Sequence, residues 1–237
     1  MADETVFVTG ADKGLGFSLA KTFLEKGYRV CAGQLATSDQ LNRLSERFGD
    51  KLFIVQQDVS DLKSVKRSAQ QAAKWTDHLD ILINNAGIYL REPTEKVLSE
   101  MDFDDGSLEA MMSVNAFGPM RVNQQFLPLL RQGNRKRIVN ISSEAGSEAI
   151  CWRTNCHGYC MSKAALNMHC NILQRWLKPE GFKILAVHPG WMQTDMGKPE
   201  ADLHPDQSAA AIFELAKKDW PLDGPIFMDH TGKTMQW

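Results

Sequence analysis

Thr9-Gly10-Ala11-Asp12-Lys13-Gly14-Leu15-Gly16 follows the apolar stretch Val6-Phe7-Val8 and leads into a segment where Gly16, Leu19, Ala20 and Phe23 recur at i, i+3, i+4 and i+7. The first stretch reads as a strand and the second as one face of a helix, with Gly27 as its stop. Glycine at the joint has three uses. It permits a tight turn, lets backbone approach a pyrophosphate, and lets helix and strand pack closely. The N–H groups that open the helix then face the phosphates. The spacing is G-x-x-x-G-x-G, not G-x-G-x-x-G, and its place between strand and amphipathic helix gives it meaning. An ordinary glycine-rich turn is the alternative. Gly10, Lys13, Gly14, Leu15 and Gly16 are the candidate contacts to a dinucleotide.

Outward from this loop the same unit repeats. Arg29–Ala32, Leu52–Val55, Ile81–Ile83, Ile138–Ile141, Ile184–Val187 and Ile226–Met228 are short apolar runs. Helical patterns separate them: through Leu41 and Leu44, through Val65, Ala69 and Ala72, one long helix from about Met111 to Leu130, one from Tyr159 to Leu177, and one from Asp206 to Ala216. Near-continuous apolar strands are those of a parallel sheet covered on both faces. Strand–helix alternation with right-handed crossovers predicts an α/β fold, a doubly wound parallel sheet of about seven strands flanked by helices on both faces. No linker, repeat or low-complexity stretch interrupts it, so residues 1–237 read as a single domain. The helix after Tyr159 carries two apolar stripes, Met161-Ala165-Met168-Ile172 and Leu166-Cys170-Leu173-Leu177. It is either squeezed between sheet and neighbouring helix or part of a subunit interface.

Of the 237 residues, 43% are hydrophobic and 24% charged, and the net charge is −2. These values describe a globular chain with enough apolar residues for a core. They give no electrostatic pull toward nucleic acid or anionic lipid. The basic cluster Arg131, Arg135, Lys136, Arg137 reads as a solvated turn before a strand. The acidic run Glu92, Glu95, Glu100, Asp102, Asp104, Asp105 reads as a solvated loop. No segment has the length of a membrane span, and the acidic start is unlike a signal peptide. The expected location is cytoplasmic, where disulfides are rare. The spacing of Cys151, Cys156, His157, Cys160, His169 and Cys170 matches no common zinc pattern, so no metal is expected. Cys156 and Cys160 flank Tyr159. They read either as small apolar packing or as groups that make the site thiol-sensitive.

Enzymes that use NAD usually place an acid near the end of the second strand to hold the ribose 2′-OH. Ala32–Ser38 has none, and Lys13 can meet a 2′-phosphate as a point charge. NADP(H) is therefore the expected cofactor, with NAD(H) possible. Tyr159 and Lys163 lie at i and i+4, on one helix face. A free phenol titrates near 10. A nearby ammonium favours the phenolate, and oxidised nicotinamide adds a second positive charge, so Tyr159 becomes a usable proton donor or acceptor. Ser142-Ser143 ends a strand, where ligands of open parallel sheets bind. A hydroxyl there can hold a substrate oxygen, although a turn or cap is the commoner use. Asn84-Asn85-Ala86-Gly87 is a turn signature. Asn115 sits mid-helix, where its amide needs partners and can fix a local distortion and a water.

Together these residues resemble the classical short-chain dehydrogenase/reductase family across essentially the whole chain. The motifs are Thr9–Gly16, Asp58-Val59, Asn84–Gly87, Asn115, Ser143, Tyr159–Lys163, and Pro189-Gly190 with Thr194. His188–Gly197 and the ending in Trp237 resemble the branch of sniffer and C-factor-like carbonyl reductases. The resemblance implies a Rossmann fold and a carbonyl reductase-like oxidoreductase acting on a small molecule. It implies Tyr159 as acid/base and Lys163 lowering its pKa and holding the nicotinamide ribose. Ser143 orients the carbonyl, and Asn115 holds a water that links Lys163 to solvent. Asp58 and Val59 contact adenine, Asn85, Ala86 and Gly87 the ribose region, and Thr194 the carboxamide beside Pro189 and Gly190. A helical homodimer or homotetramer interface is implied as well. Residues 144–158 are longer and richer in Cys, Trp and charge than in many members, and line the expected substrate pocket. Trp152 and Trp191 are expected as its walls. The loop carrying Lys198, Glu200, Asp202 and His204 is short and polar. The alternative to an enzyme is a cofactor-binding regulatory or scaffold protein of the same fold.

Overall fold

The alternation of apolar runs and helical patterns is realised in a computed structural model that describes residues 4–90 and 96–237. Met1–Asp3 of the acidic start, and Glu92 and Glu95 of the acidic run, lie outside the described residues. The strands are β1 (Thr5–Val8), β2 (Arg29–Gln34), β3 (Leu52–Gln56), β4 (Ile81–Asn84), β5 (Arg137–Ile141), β6 (Lys183–His188) and β7 (Phe227–Asp229). The helices are α1 (Gly14–Glu25), α2 (Asp39–Phe48), α3 (Leu62–Trp75), α4 (Ser107–Met112), α5 (Gly118–Gln132), α6 (His157–Leu177) and α7 (Pro205–Lys217).

The seven strands form one parallel sheet in the order β3-β2-β1-β4-β5-β6-β7. Successive side chains of a strand point to opposite faces, and in β1 both faces are covered. Val6 and Val8 pack into a core with Leu19, Phe23, Leu41, Ile212 and Phe213, under α1, α2 and α7. Phe7 enters the other core with Val65, Phe126, Leu166 and Leu173, under α3, α5 and α6. This double burial is why the strand sequences lack polar alternation. After β3 the chain returns to the other side of β1 and lays down β4. The order reverses between β1 and β4, and that switch point opens a crevice beyond the strands' carboxyl ends.

Two sequence expectations differ from what is observed. The long helix is broken, because a π-helical turn at Ser113–Phe117 separates α4 from α5. The basic cluster is not a solvated turn. Arg137 opens β5 and is 4% exposed. Its Nη2 donates to Lys218 O at 2.9 Å, and Arg135 Nη1 donates to Lys217 O at 2.8 Å. These carbonyls end α7, where the helix dipole attracts cations. Arg131 pairs with Glu180, and Lys136 Nζ donates to Glu180 O.

The stripes of α6 separate cleanly. Leu166, Cys170, Leu173 and Leu177 are buried, whereas Met161, Met168 and Ile172 are about 60% exposed, as is Trp176 beyond them. Nothing among the described residues covers the stripe of Met161, Met168 and Ile172. Among the described residues, no helix is long and apolar enough to cross a membrane.

Candidate active site

In a parallel sheet every strand delivers its following loop to the same edge. β1 delivers the glycine loop, β4 Asn85-Ala86-Gly87, β5 Ser142-Ser143 and β6 Pro189-Gly190. The glycine loop is shaped by contacts that exclude side chains. Gly10 has φ +61, and a Cβ there would lie 2.9 Å from Ala86 Cα. A Cβ on Gly16 would lie 2.0 Å from the Gly10 carbonyl oxygen. Thr9 Oγ1 accepts from the N–H groups of Asn85 and Ala86, each at 2.9 Å. Asn85 Nδ2 donates back to the Thr9 and Gly10 carbonyls at 3.0 and 3.1 Å. The loops after β1 and β4 are thereby one unit. Gly14 faces Thr194, whose methyl would lie 3.5 Å from an added Cβ.

Beside this unit is an open hollow of about 530 Å³, lined among others by Asp12, Lys13, Leu35, Ser38 and Arg43. Ser38 caps α2, its side chain accepting from Leu41 N. Sequence reasoning named Lys13 and missed Arg43, which comes from α2. Ser38 was the available signal, since a cap there turns the first turns of α2 toward the strand end. Lys13 Nζ lies 2.7 Å from Asp195 on the loop after β6, and both side chains are largely exposed. Each raises the other's preference for charge: Lys13 is pushed up and Asp195 down by their hydrogen bond. Two cations, the free N–H groups opening α1 and a cradle closed to side chains fit a phosphate-rich dinucleotide.

Gly87 joins this cradle to the second half of the site. A Cβ on it would lie 3.3 Å from Asn115 Oδ1 and 3.7 Å from Lys163 Nζ. Asn115 lies within the π-helical turn, consistent with the distortion expected from its poor helix propensity. Its Oδ1 accepts from Ile88 N at 2.8 Å, and its Nδ2 donates to Ile88 O at 2.9 Å and Ser162 Oγ at 3.0 Å. Lys163 Nζ donates to the Ile141 carbonyl at 2.9 Å. Its position against the loop after β5 is fixed by Gly146, where a Cβ would strike the Lys163 backbone at 2.6 Å.

Ser143 acts on the Tyr159 hydroxyl and eases its ionisation, and Lys163 Nζ is 5.7 Å from the Tyr159 ring centroid. The three predicted reactive groups are therefore together. Their electrostatics differ from the sequence expectation. Burial dominates and pushes the phenol up to about 12; Ser143 opposes it, Glu144 adds to it and Arg153 counters. Burial also pushes Lys163 down to about 8. An ammonium that is itself desolvated, and directed at a carbonyl, has little left to give the phenol. In this state the Tyr159 phenol keeps its proton at neutral pH.

Asp58 and Val59 follow β3 at the sheet's edge and are not brought to Tyr159. Asp58 Oδ1 accepts from Ser60, and Val59 is buried where Gly118 leaves room for it. Gly190 has φ +84, Pro189 O accepts from Ser208 Oγ at 2.7 Å, and Thr194 Oγ1 accepts from Gly197 N at 3.0 Å. These bonds shape the loop that faces the glycine turn.

Several groups at the site escaped the sequence reading. Glu144 and Arg153 form a two-pronged ion pair, at 2.5 and 2.6 Å, that closes the loop after β5. His188 Nδ1 accepts from Glu144 N at 3.2 Å. The end of the chain lies on this loop: Ser147 Oγ donates to Gln236 O, Ala149 N donates to Trp237 O, and Trp237 stacks on Phe227. Trp152 and Trp191 are 74% and 46% exposed, so neither is core. The Cys160 thiol is pushed up by burial, and Cys156 is buried. Tyr89, after β4, packs its ring against Tyr159. The charge of residues 144–158 was the sequence's only hint of the Glu144–Arg153 pair.

Comparison with known proteins agrees with this architecture. A family model described as short chain dehydrogenase matches residues 4–204. C-signal of Myxococcus xanthus is 37% identical over 162 residues, covering 68% of this chain and 95% of its own. The NADPH-bound carbonyl reductase from chicken fatty liver superposes with a TM-score of 0.88 at 28% identity, covering all of both chains. Carbonyl reductase Sniffer of D. melanogaster has a TM-score of 0.90 at 23% identity, covering 99% of this chain and 100% of its own, a likeness of fold.

Proposed function

The chain belongs to the short chain dehydrogenase family, a family of oxidoreductases, and on that footing we propose that it interconverts a carbonyl and an alcohol with NADP(H), using Tyr159 as general acid/base. The observation that carries this reading is that Tyr159 lies beside Lys163 and under the influence of Ser143, and that Gly87 joins Lys163 to the glycine loop.

When bound, the nicotinamide supplies or accepts the hydride. Ser143 holds the carbonyl oxygen of the small-molecule substrate, and the Tyr159 hydroxyl gives that oxygen a proton in reduction. A phenol held near 12 is fully protonated at neutral pH, which suits the donor role. Lys163 holds the nicotinamide ribose and returns a proton toward Tyr159. Asn115 fixes the backbone beside Lys163. Gly10, Lys13, Gly14, Leu15 and Gly16 hold the pyrophosphate side, and Asp58 and Val59 the adenine. Asn85, Ala86 and Gly87 hold the ribose region, and Thr194, beside Pro189 and Gly190, the carboxamide. Lys13 and Arg43 face a 2′-phosphate. The NADPH-bound neighbour from chicken supports that choice of cofactor. The exposed stripe of α6 supports a homodimer or homotetramer, since Met161, Met168, Ile172 and Trp176 form a contiguous apolar row.

The test is consumption of NADPH with a panel of quinones, aldehydes and ketones. The native chain turns over, and Tyr159→Phe lowers turnover by about 10²–10⁴ while NADPH still quenches tryptophan fluorescence. Near-native turnover in Tyr159→Phe overturns the assignment. A second reading, a nucleotide-bound regulator without turnover, draws on the name of the C-signal relative. The same panel separates the two, because a regulator binds NADPH and oxidises none.

A further inference from the structure

The loop after β4 and the start of α6 meet directly over the reactive phenol. The Tyr89 ring lies 4.7 Å from the Tyr159 ring, centroid to centroid, at an interplanar angle of 34°. The Tyr89 hydroxyl is 2.8 Å from Cys156 Sγ, and Cys156 Sγ donates to Asn155 Oδ1 at 3.0 Å. A thiol has one hydrogen, and an amide oxygen only accepts. The two bonds coexist when the Tyr89 phenol donates to sulfur. Cys156 itself occupies the left-handed region, φ 62, at the N-cap of α6. A non-glycine residue there is strained, and such strain persists where surrounding contacts hold it. On the other side, the backbone one residue before Tyr89 is clamped by both ends of the Asn115 amide. Tyr89 is thus fixed at its root by Asn115 and at its tip by Cys156, with its ring between these anchors lying on Tyr159.

We propose that Tyr89 is a positioning residue for the reaction: its ring keeps water from the Tyr159 phenol and so sets the pH at which that phenol can still donate a proton, while Cys156 locks the ring in place. The inference rests on the acid/base reading of Tyr159 given above. The groups that face Tyr159 are Ser143, Glu144 and Arg153 from the loop after β5, Cys160 and Lys163 from α6, and Tyr89 from the loop after β4. His188 acts one step further out, on Glu144. Glu144 and Arg153 neutralise each other in a two-pronged pair. Exclusion of water is then the leading influence on the phenol, and the Tyr89 ring lies tilted against it. Opening that side to water lowers the proton affinity of the phenol toward the ordinary value near 10.

The experiment is the pH profile of kcat for reduction at saturating NADPH, with any carbonyl compound the native chain reduces. Reduction needs protonated Tyr159, so activity falls as the phenol ionises, in a limb above the one that Lys163, held down at about 8, contributes. In Tyr89→Ala this alkaline limb moves to lower pH by about one unit. Tyr89→Phe and Cys156→Gly, which each break the hydroxyl–sulfur anchor, move it the same way by less. Glycine suits the left-handed backbone of position 156, so that variant folds without the strain of the native residue. A structural role alone lowers melting temperature and turnover and leaves the limb where it is. An unmoved limb in Tyr89→Ala overturns the inference. Should that variant not fold, an unmoved limb in both Tyr89→Phe and Cys156→Gly overturns it. Tyr159→Phe, run alongside, keeps the two readings apart: if it abolishes turnover while the limbs stay put, only the role of Tyr89 falls.

Discussion

Asn115→Ala isolates the clamp that joins the loop after β4 to α6. The side chain is 1% exposed and makes three hydrogen bonds, to Ile88 N, Ile88 O and Ser162 Oγ. Each is worth about 0.5–1.5 kcal/mol net, so their loss costs roughly 2–4 kcal/mol. Alanine suits a helix better than asparagine by up to about 0.7 kcal/mol, which offsets part of that. The net loss is roughly 1.5–3.5 kcal/mol. In a chain of this length each kcal/mol moves Tm by about 2–4 °C, so Tm falls by roughly 3–14 °C. Differential scanning fluorimetry reads this directly. Asn115→Asp discriminates further. Its carboxylate still accepts from Ile88 N, but its second oxygen faces the Ile88 carbonyl, where the amide now donates at 2.9 Å. Repulsion there makes aspartate worse than alanine. A Tm within about 1 °C of native in Asn115→Ala, or an aspartate variant more stable than the alanine one, refutes the clamp.

Lys13→Glu is expected to weaken NADPH by about 10–100-fold and NADH by far less, because the new carboxylate repels a 2′-phosphate; titrations of the two nucleotides check it, and equal losses remove Lys13 from that role. Burial holds the Lys163 ammonium down to about 8 from its ordinary 10.5. The unfolded chain therefore binds more protons between those values, so stability rises with pH across the window and the cost of burying the charge is felt below it. Denaturant titrations of native chain and Lys163→Met should diverge by on the order of 3 kcal/mol between pH 8 and 10.5, with parallel curves as the opposing result. Ile172→Glu puts a charge in the exposed stripe of α6 and is expected to convert a dimer or tetramer to monomer in sedimentation; an unchanged oligomer moves the interface elsewhere.

What the sequence made legible follows from the range of the forces involved. β1 and the glycine loop were readable because their constraints are local: an apolar run buried on both faces, then glycines where Gly10 and Gly16 admit no side chain. Tyr159 and Lys163 were readable because one helical turn sets their spacing. The distortion at Asn115 was half readable, since propensity flags an asparagine mid-helix but does not say that the helix will widen into a π turn. Arg137 was misread because a run of cations looks solvated until the carbonyls ending α7, far along the chain, are placed against it. Arg43 and Tyr89 were missed for the same reason, since each gains meaning only from the loop opposite. The reactive phenol draws these cases together. Local spacing predicts that Lys163 pulls its proton affinity down. The fold buries Lys163 and half-buries Tyr159, turns the ammonium to Ile141 O and sets Tyr89 against the ring, so desolvation outweighs the neighbouring charge. The spacing of Tyr159 and Lys163 is written in short-range pattern, whereas their proton affinities are decided by segments that meet only when the sheet is complete.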